Sequence, residues 1–388
     1  MRIFIDSILL ALAATPFIYY LISIYSSWKF FRSAPKSSTG TRAFTPPISN
    51  IKPIRGLDPD AYENFATLCR QDYPDYELLF CISPEDESVL PILEKLALDF
   101  PERKIRILSG SGRLAANDKV AKLARLVSEA SYEFIVINDS DVRVRPDYLR
   151  RIVAPLVDPD VGAATCLYVS AGDKTFADRL QSMGMLSDFF PGILVARQLD
   201  GVKFALGTSI ATTRRHLAGF GGYESLENRP ADDLLVGRLI AEQGYKVELL
   251  PYTVETVPDY SSLHELLHKR LRWTTVLRFM RPLGHLGLVF TLGLPWTAVA
   301  IAVHPTIVVA LIYLTAYLLL RGAMLWVVAA GLNRTDFWKN YPLVVVWDAF
   351  ALFVWVASFS RTSIRWRDSD YYIRNGILVP ASARNSAN

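Results

Sequence analysis

From Ser7 to Trp28 the chain carries no charged residue, which is about the 20 residues a helix needs to cross a bilayer. Lys29, Arg32, Lys36 and Arg42 follow at once, and the positive-inside rule then puts the next segment on the cytoplasmic side. A cleaved signal peptide fits less well. Asp6 stands in the would-be basic region, the apolar stretch is too long, and no small-x-small site ends it. The segment reads as a transmembrane anchor over 1–30. A linker follows over 31–47, rich in Ser, Thr and Pro from Ser33 on.

A second apolar region, Leu283 to Leu320, lacks Lys, Arg, Asp and Glu and is interrupted at His304-Pro305. It is long enough for a helical hairpin turning there. Arg321 sits inside the apolar run that continues to Leu332, and Arg334 and Lys339 lie in the loop Asn333–Asn340. A last segment, Tyr341–Ser360, holds Asp348 near its middle, a costly residue against lipid. Arg361, Arg365 and Arg367 open a basic tail over 361–388. A cytoplasmic tail needs an even number of crossings after the central block, yet three apolar segments are visible across 281–360. One of them, Leu283–Val303 or the Asp348 segment, is expected to be interfacial or re-entrant.

Composition agrees with a membrane-bound globular protein. The 388 residues are 51% hydrophobic and 21% charged, with a mean hydropathy of +0.21; disorder, collagen-like repeats and a small disulfide scaffold are excluded. A net charge of +4 is too slight and dispersed for nucleic-acid binding, and suits an anionic membrane surface. Cys69, Cys81 and Cys166 match no zinc spacing and leave one cysteine unpaired, so a reducing compartment is the simpler reading.

Residues 48–280 alternate short β-rich runs with amphipathic helical patterns, which argues for an α/β layered domain with a mainly parallel sheet. Ile48–Ile54, Glu77–Ile82, Lys104–Leu108 and Glu133–Ile137 are the expected strands. Asp60–Gln71, Ser88–Phe100, Lys119–Ala130 and Asp147–Leu156 are the expected helices. Ligands in such sheets gather beyond the carboxyl ends of the strands. Those ends are polar here: Lys52-Pro53-Ile54-Arg55-Gly56, Ser83-Pro84-Glu85-Asp86-Glu87 and Asn138-Asp139-Ser140-Asp141.

Asp139-Ser140-Asp141 sets two carboxylates on a turn after a buried run, a pattern able to hold Mg²⁺ or Mn²⁺ and the diphosphate it carries. The pattern alone is common, since Asp58-Pro-Asp60, Asp158-Pro-Asp160 and Asp368-Ser-Asp370 repeat it where turns or helix starts are expected. Gly110-Ser-Gly112-x-x-Ala115 formally matches a dinucleotide fingerprint, but it follows the third strand and precedes its helix by several polar residues, so it reads as a loop. Asp232-Asp233 opens a helix. Such carboxylates either complement the helix dipole or, if the helix faces the Asp139 site, supply a general base. Lys269-Arg270-Leu271-Arg272-Trp273 lies on an amphipathic stretch, Ser261–Arg281. It serves either as an interfacial belt or, through Arg272, as a grip on a leaving diphosphate, with Trp273 walling off the sugar or acceptor. His216, His264, His268, His285 and His304 form no metal-ligand spacing, and no serine-hydrolase, P-loop or Cys-His signature is present.

Taken in order, the segments 52–58, 72–79, Asn117–Leu123, 138–144, Ala231-Asp232-Asp233 and Arg272-Trp273, with Trp366-Arg367 and Tyr371 in the tail, resemble the ceramide glucosyltransferase family, including its bacterial branch associated with hopanoid biosynthesis. Arg281-Pro-Leu-Gly284 tilts the resemblance towards the bacterial branch. The resemblance implies a GT-A nucleotide-sugar domain that transfers a single sugar, with inversion, from UDP-glucose or UDP-N-acetylglucosamine to a membrane-lipid hydroxyl. Ceramide, a hopanoid and diacylglycerol are the acceptors to consider. It also implies a multi-pass protein of the bacterial inner membrane with a cytoplasmic catalytic domain. It assigns Asp233 as base, Asp139 with Asp141 to Mn²⁺ or Mg²⁺, and Arg272 with Trp273 to the closing motif, where Lys269 departs from the usual Gln or Arg. Lys52, Asp86, Lys119, Asp139, Asp232 and Arg272 are then expected on the UDP-sugar. A processive polysaccharide synthase shares several of these features, but exporting a polymer needs a protein-lined channel, for which the apolar segments are few. A decayed, non-enzymatic adaptor would have lost the strand-end carboxylates, and a dehydrogenase would rest on Gly110–Ala115 alone.

Overall fold

Apolar runs bounded by polar turns form strands where both faces are covered, as in the middle of a parallel sheet. A computed structural model of the chain describes residues 2–33, 44–86, 88–113, 115–172, 174–257, 262–334, 336–366, 369–374 and 376–381. Lys36 and Arg42 of the linker, Glu87, Leu114, Ser261, Arg367, Asp368 and residues 382–388 lie outside them. The chain begins with helices α1 (Arg2–Ala13) and α2 (Thr15–Arg32). Then β1 (Ile48–Pro53), α3 (Ala61–Cys69), β2 (Tyr76–Ile82), α4 (Leu90–Asp99), β3 (Lys104–Ser109), α5 (Asp118–Glu129) and β4 (Phe134–Ile137) alternate, within a residue or two of the sequence reading. Every residue of β1 and β2 is buried, whereas β3, with Lys104 and Arg106, forms the sheet edge.

Beyond β4 come β5 (Val142–Arg143), α6 (Tyr148–Val153), β6 (Val161–Ser170), α7 (Phe176–Gly184), α8 (Phe190–Asp200), β7 (Ile210–Thr213), α9 (Arg214–Ala218), α10 (Asp232–Glu242) and β8 (Lys246–Thr256). The helix expected over Asp147–Leu156 tightens into a 3₁₀ turn at Ala154–Val157, because Pro155 has no N–H to continue it. A single π-turn, Met185–Phe189, joins α7 to α8. The strands form one sheet in the order β3-β2-β1-β4-β7-β6-β8-β5. β1 to β4 are mutually parallel, β7 is antiparallel to both its neighbours, and β6 and β8 are parallel. The three cysteines are buried and free.

The apolar region folds as α11 (Leu263–Met280), α12 (Pro282–Gly287), α13 (Gly293–Val303), α14 (Ile307–Gly331) and α15 (Leu343–Ser358). Among the described residues two helical stretches, Phe4–Arg32 and Ile307–Gly331, are long and apolar enough to cross a membrane, and a third is if Pro282–Thr291 and Gly293–Val303, a pair bent by 61°, count as one span. The break between α13 and α14 falls at His304-Pro305. On α14, Tyr317, Arg321, Leu325 and Val328 are buried at helical spacing. Arg321 donates to Asp348 of α15 at 2.5 Å and to Asp188 of the π-turn at 2.7 Å, while Tyr317 donates to Asp348 at 2.9 Å. Phe30, Leu167, Phe190, Leu325 and Val344 share one core, so the apolar helices and the sheet domain are packed together.

Residues expected as a basic tail contain three strands, β9 (Ser363–Trp366), β10 (Ser369–Arg374) and β11 (Ile377–Pro380), in an antiparallel sheet. Ile364, Ile373 and Leu378 form its small core, against Val276 of α11 and Ala116.

Candidate active site

Buried polar side chains survive in a core only when they are hydrogen-bonded, and in β1 these bonds build the site floor. Asn50 donates to Asn138 at 3.0 Å, and Asn138 in turn donates to the Thr208 carbonyl at 3.0 Å and the Tyr148 hydroxyl at 2.8 Å. The turn 138–141 is thereby fixed against the segment leading into β7. Lys52 is 1% exposed and donates to the Asp139 carbonyl at 2.7 Å.

On the far side stands the N-terminus of α10. Gly237 lets this helix approach closely, since a Cβ there would lie 2.2 Å from the Phe204 carbonyl carbon. Ala231 precedes the helix in the left-handed region (φ 56°). Gly207 then meets Asp233: its N–H donates to Asp233 Oδ2 at 3.0 Å, and a Cβ there would stand 2.9 Å from the same oxygen. Lys119, in the first turn of α5, spans the two sides, 2.7 Å from Asp139 Oδ1 and 3.3 Å from Asp232 Oδ2. The α10 carboxylates and the strand-end aspartates therefore face one another, the condition on which a base role for Asp233 depended.

Burial, reinforced by Asp139, pushes the Asp141 carboxyl up to about 6. Burial and then Asp232 do the same for Asp233, also to about 6. Burial works against the Lys119 ammonium as well, but Asp139, Asp232 and Asp233 outweigh it and hold the ammonium protonated well above its usual range. Burial lowers Lys52 to about 8 against the pull of Asp141, Asp139 and Asp58. Such opposed displacements in one cleft are characteristic of working sites.

A cavity of about 830 Å³ joins Lys119, Asp141 and Asp233, within the range of substrate sites. Lys119, Asp139, Asp141, Asp232, Asp233, Lys269, Arg272 and Trp273 all line it. Two expected ligand contacts sit elsewhere. Lys52 lies beneath the floor, because its ammonium is used on the Asp139 backbone. Asp86 is not among the lining residues and accepts the Gly56 N–H at 3.0 Å, tying the end of β2 to the loop after β1. Asp58 and Arg55 do line the cavity. The strand-end rule pointed to that loop, but Asp58 read as a turn residue. Asp188 and Trp347, also lining it, had no sequence signal of their own. Gly110 and Gly112 both have φ 75° in the loop after the edge strand, as expected of a loop there.

Among the described residues no three His, Cys, Asp or Glu side chains converge as a metal-ligand set. Asp139 and Asp141 nevertheless offer an oxygen-only pair, with Asp141 raised by burial first and by Asp139 second. Such a pair fits a hard divalent cation whose remaining ligands come from a phosphate group and water.

The mannosyltransferase PcManGT of Pyrobaculum calidifontis, solved with GDP-Man and Mn²⁺, superposes with a TM-score of 0.57 over 91% of this chain and 98% of its own, at 19% identity. At that identity the likeness is one of fold, and the fold is that of a GT-A glycosyltransferase domain with apolar helices attached. The family model Glycosyl transferase family 21 matches residues 8–379, and the chain belongs to that family of sugar transferases. Ceramide glucosyltransferase 3 of Caenorhabditis elegans is 22% identical over 96% of this chain and 83% of its own length. For ceramide glucosyltransferase 1 of the same animal the figures are 23%, 78% and 60%. A ceramide glucosyltransferase of Gibberella zeae is 29% identical over 35% of this chain, which corresponds to 28% of its own length.

Proposed function

We propose that this chain transfers a single sugar, with inversion, from a UDP-sugar (UDP-glucose or UDP-N-acetylglucosamine) to the hydroxyl of a membrane lipid, ceramide first and a hopanoid or diacylglycerol as alternatives. One observation carries the reading: Asp139, Asp141, Asp233 and Arg272 line a single cavity that continues onto the apolar surface of α15. Relatives named ceramide glucosyltransferase support the acceptor class.

Inversion is one in-line displacement, so it needs a base on the acceptor and positive charge on the leaving diphosphate. Asp233, steadied by the Gly207 and Leu234 N–H groups, takes the proton from the lipid hydroxyl. Arg272 and Lys119 carry the charge that the diphosphate develops, and Trp273 walls the sugar from water. Mn²⁺ or Mg²⁺ held by Asp139 and Asp141 would neutralise the same diphosphate. Asp232 keeps Lys119 over the site, Lys52 holds the Asp139 backbone from beneath, and Asp86 ties the loop after β1 to the end of β2. Lys29 and Arg32 in the last turn of α2 favour a cytoplasmic catalytic domain, in a multi-pass protein of the bacterial inner membrane.

The test is transfer from radiolabelled UDP-sugars to ceramide by purified protein in detergent with Mn²⁺. A labelled lipid of one added hexose or N-acetylhexosamine is expected. Label in a polymer, or only in free sugar, would overturn the reading.

A further inference from the structure

The cavity changes character along its length. Around the sheet it is lined by carboxylates and cations, while at its other end it meets Phe350, Ala351 and Val354 of α15 and Leu288, Thr291 and Leu292 of the segment joining α12 to α13. That segment has two faces. Leu283, Leu286 and Phe290 point outward, 83%, 49% and 40% exposed, at helical spacing, while Leu288, Thr291 and Leu292 turn inward. Its base is pinned to α15: His285 and Ser358 share a hydrogen bond of 2.9 Å, and the Trp355 indole donates to the His285 carbonyl at 2.8 Å. Its far end is held at the 61° bend, where the Gly293 N–H donates to the Tyr20 hydroxyl at 2.8 Å. A helical segment without charge that exposes several large apolar side chains is suited to lie against lipid. The inner surface of this segment is a cavity wall, so a bilayer on its outer side would be one helix away from the cavity.

We propose that Pro282–Thr291 is a lip over which the acceptor lipid passes sideways from the bilayer, and that the space between this lip and α15 is the chamber for its hydrocarbon chain. The inference rests on the lipid-acceptor reading above. The occupant is a membrane lipid with an alcohol headgroup: the chamber's apolar end matches a chain, and its polar end brings a hydroxyl to Asp233. A water-soluble acceptor would gain nothing from an apolar wall one helix thick against lipid.

Wild-type protein in lipid nanodiscs, given a ceramide with a photoreactive diazirine in its acyl chain, tests this directly. Illumination should label peptides within 282–303 and 343–358, and excess unmodified ceramide should suppress the label. Label confined to the outer face of α14 or to α1 and α2 would overturn the chamber. In parallel, Thr291→Trp and Ala351→Trp should raise KM for ceramide tenfold or more with UDP affinity within twofold of wild type. An unchanged KM in both would also overturn it. Should the bulky variants lose UDP binding through misfolding, the wild-type labelling decides alone. Labelling without any sugar transfer to ceramide would keep the chamber and overturn the acceptor reading, so the two fail separately.

Discussion

The Asp233 carboxyl is held up to about 6 by burial and by Asp232, although two backbone N–H groups steady its charged form. A base works only when deprotonated, and a raised pKa means that the working fraction disappears as the pH falls through about 6. kcat/KM should therefore be level above pH 7 and drop about tenfold per unit well below 6; a limb centred near 4 would assign the proton to another group. Asp233→Asn should cost roughly 10²–10⁴ in turnover with UDP affinity within twofold by calorimetry, and near-normal turnover would mean that the base is elsewhere. Asp139→Ala should instead abolish the difference in UDP affinity between Mn²⁺ and EDTA. A difference that persists would move the metal away from the end of β4.

At the scale of the element, α14 and α15 are joined by a buried ion pair that also reaches the π-turn beside the sheet domain. Arg321 and Asp348 are both 0% exposed and meet at 2.5 Å, with Asp188 as a second partner. Removing one member of such a pair strands the other, at a cost of about 3–5 kcal/mol, whereas replacing both with apolar residues is often tolerated. Arg321→Met should therefore lower the melting temperature in detergent more than the double change Arg321→Met with Asp348→Leu. A double variant that melts lower than the single one would show that the charges themselves hold the helices. The sequence exposed each charge as an oddity in an apolar run, but it could not show that they meet, because they lie on different helices. Strands β2 and β4 were legible because two-sided burial writes a mainly apolar run, and β1 and β3 because β-branched residues recur in them between polar turn residues. Helices α7 and α8 were not, since they bury themselves against α2, α14 and α15 and turn through a π-turn with Pro191 close behind. Lys52 misled for a related reason: a lysine is almost never fully buried, so its place beneath the floor had no precedent in the pattern. Strands β10 and β11 did leave a signal. The dipeptide Asn375-Gly376 between two apolar runs is a hairpin signature in the sequence, but the surrounding arginines gave the segment the look of a tail.

For the molecule as a whole, the site draws walls from segments far apart in the chain. Ile364 of β9 and Tyr371 of β10 line the same cavity as Asp58 and Asp139. The Leu378 N–H donates to the Asn228 carbonyl at 2.7 Å, just before the turn into α10, and Arg278 of α11 donates to the carbonyls of Phe359 and Arg361. A chain ended after Ser360 should still reach the membrane fraction but lose tenfold or more of its transfer activity, and full activity would make the small sheet a bystander. Since β9, β10 and β11 follow α11 to α15 in the chain, translation makes this wall of the cleft after those helices. Under the proposed function, a copy that has reached only α15 would hold an open cleft and turn over little donor.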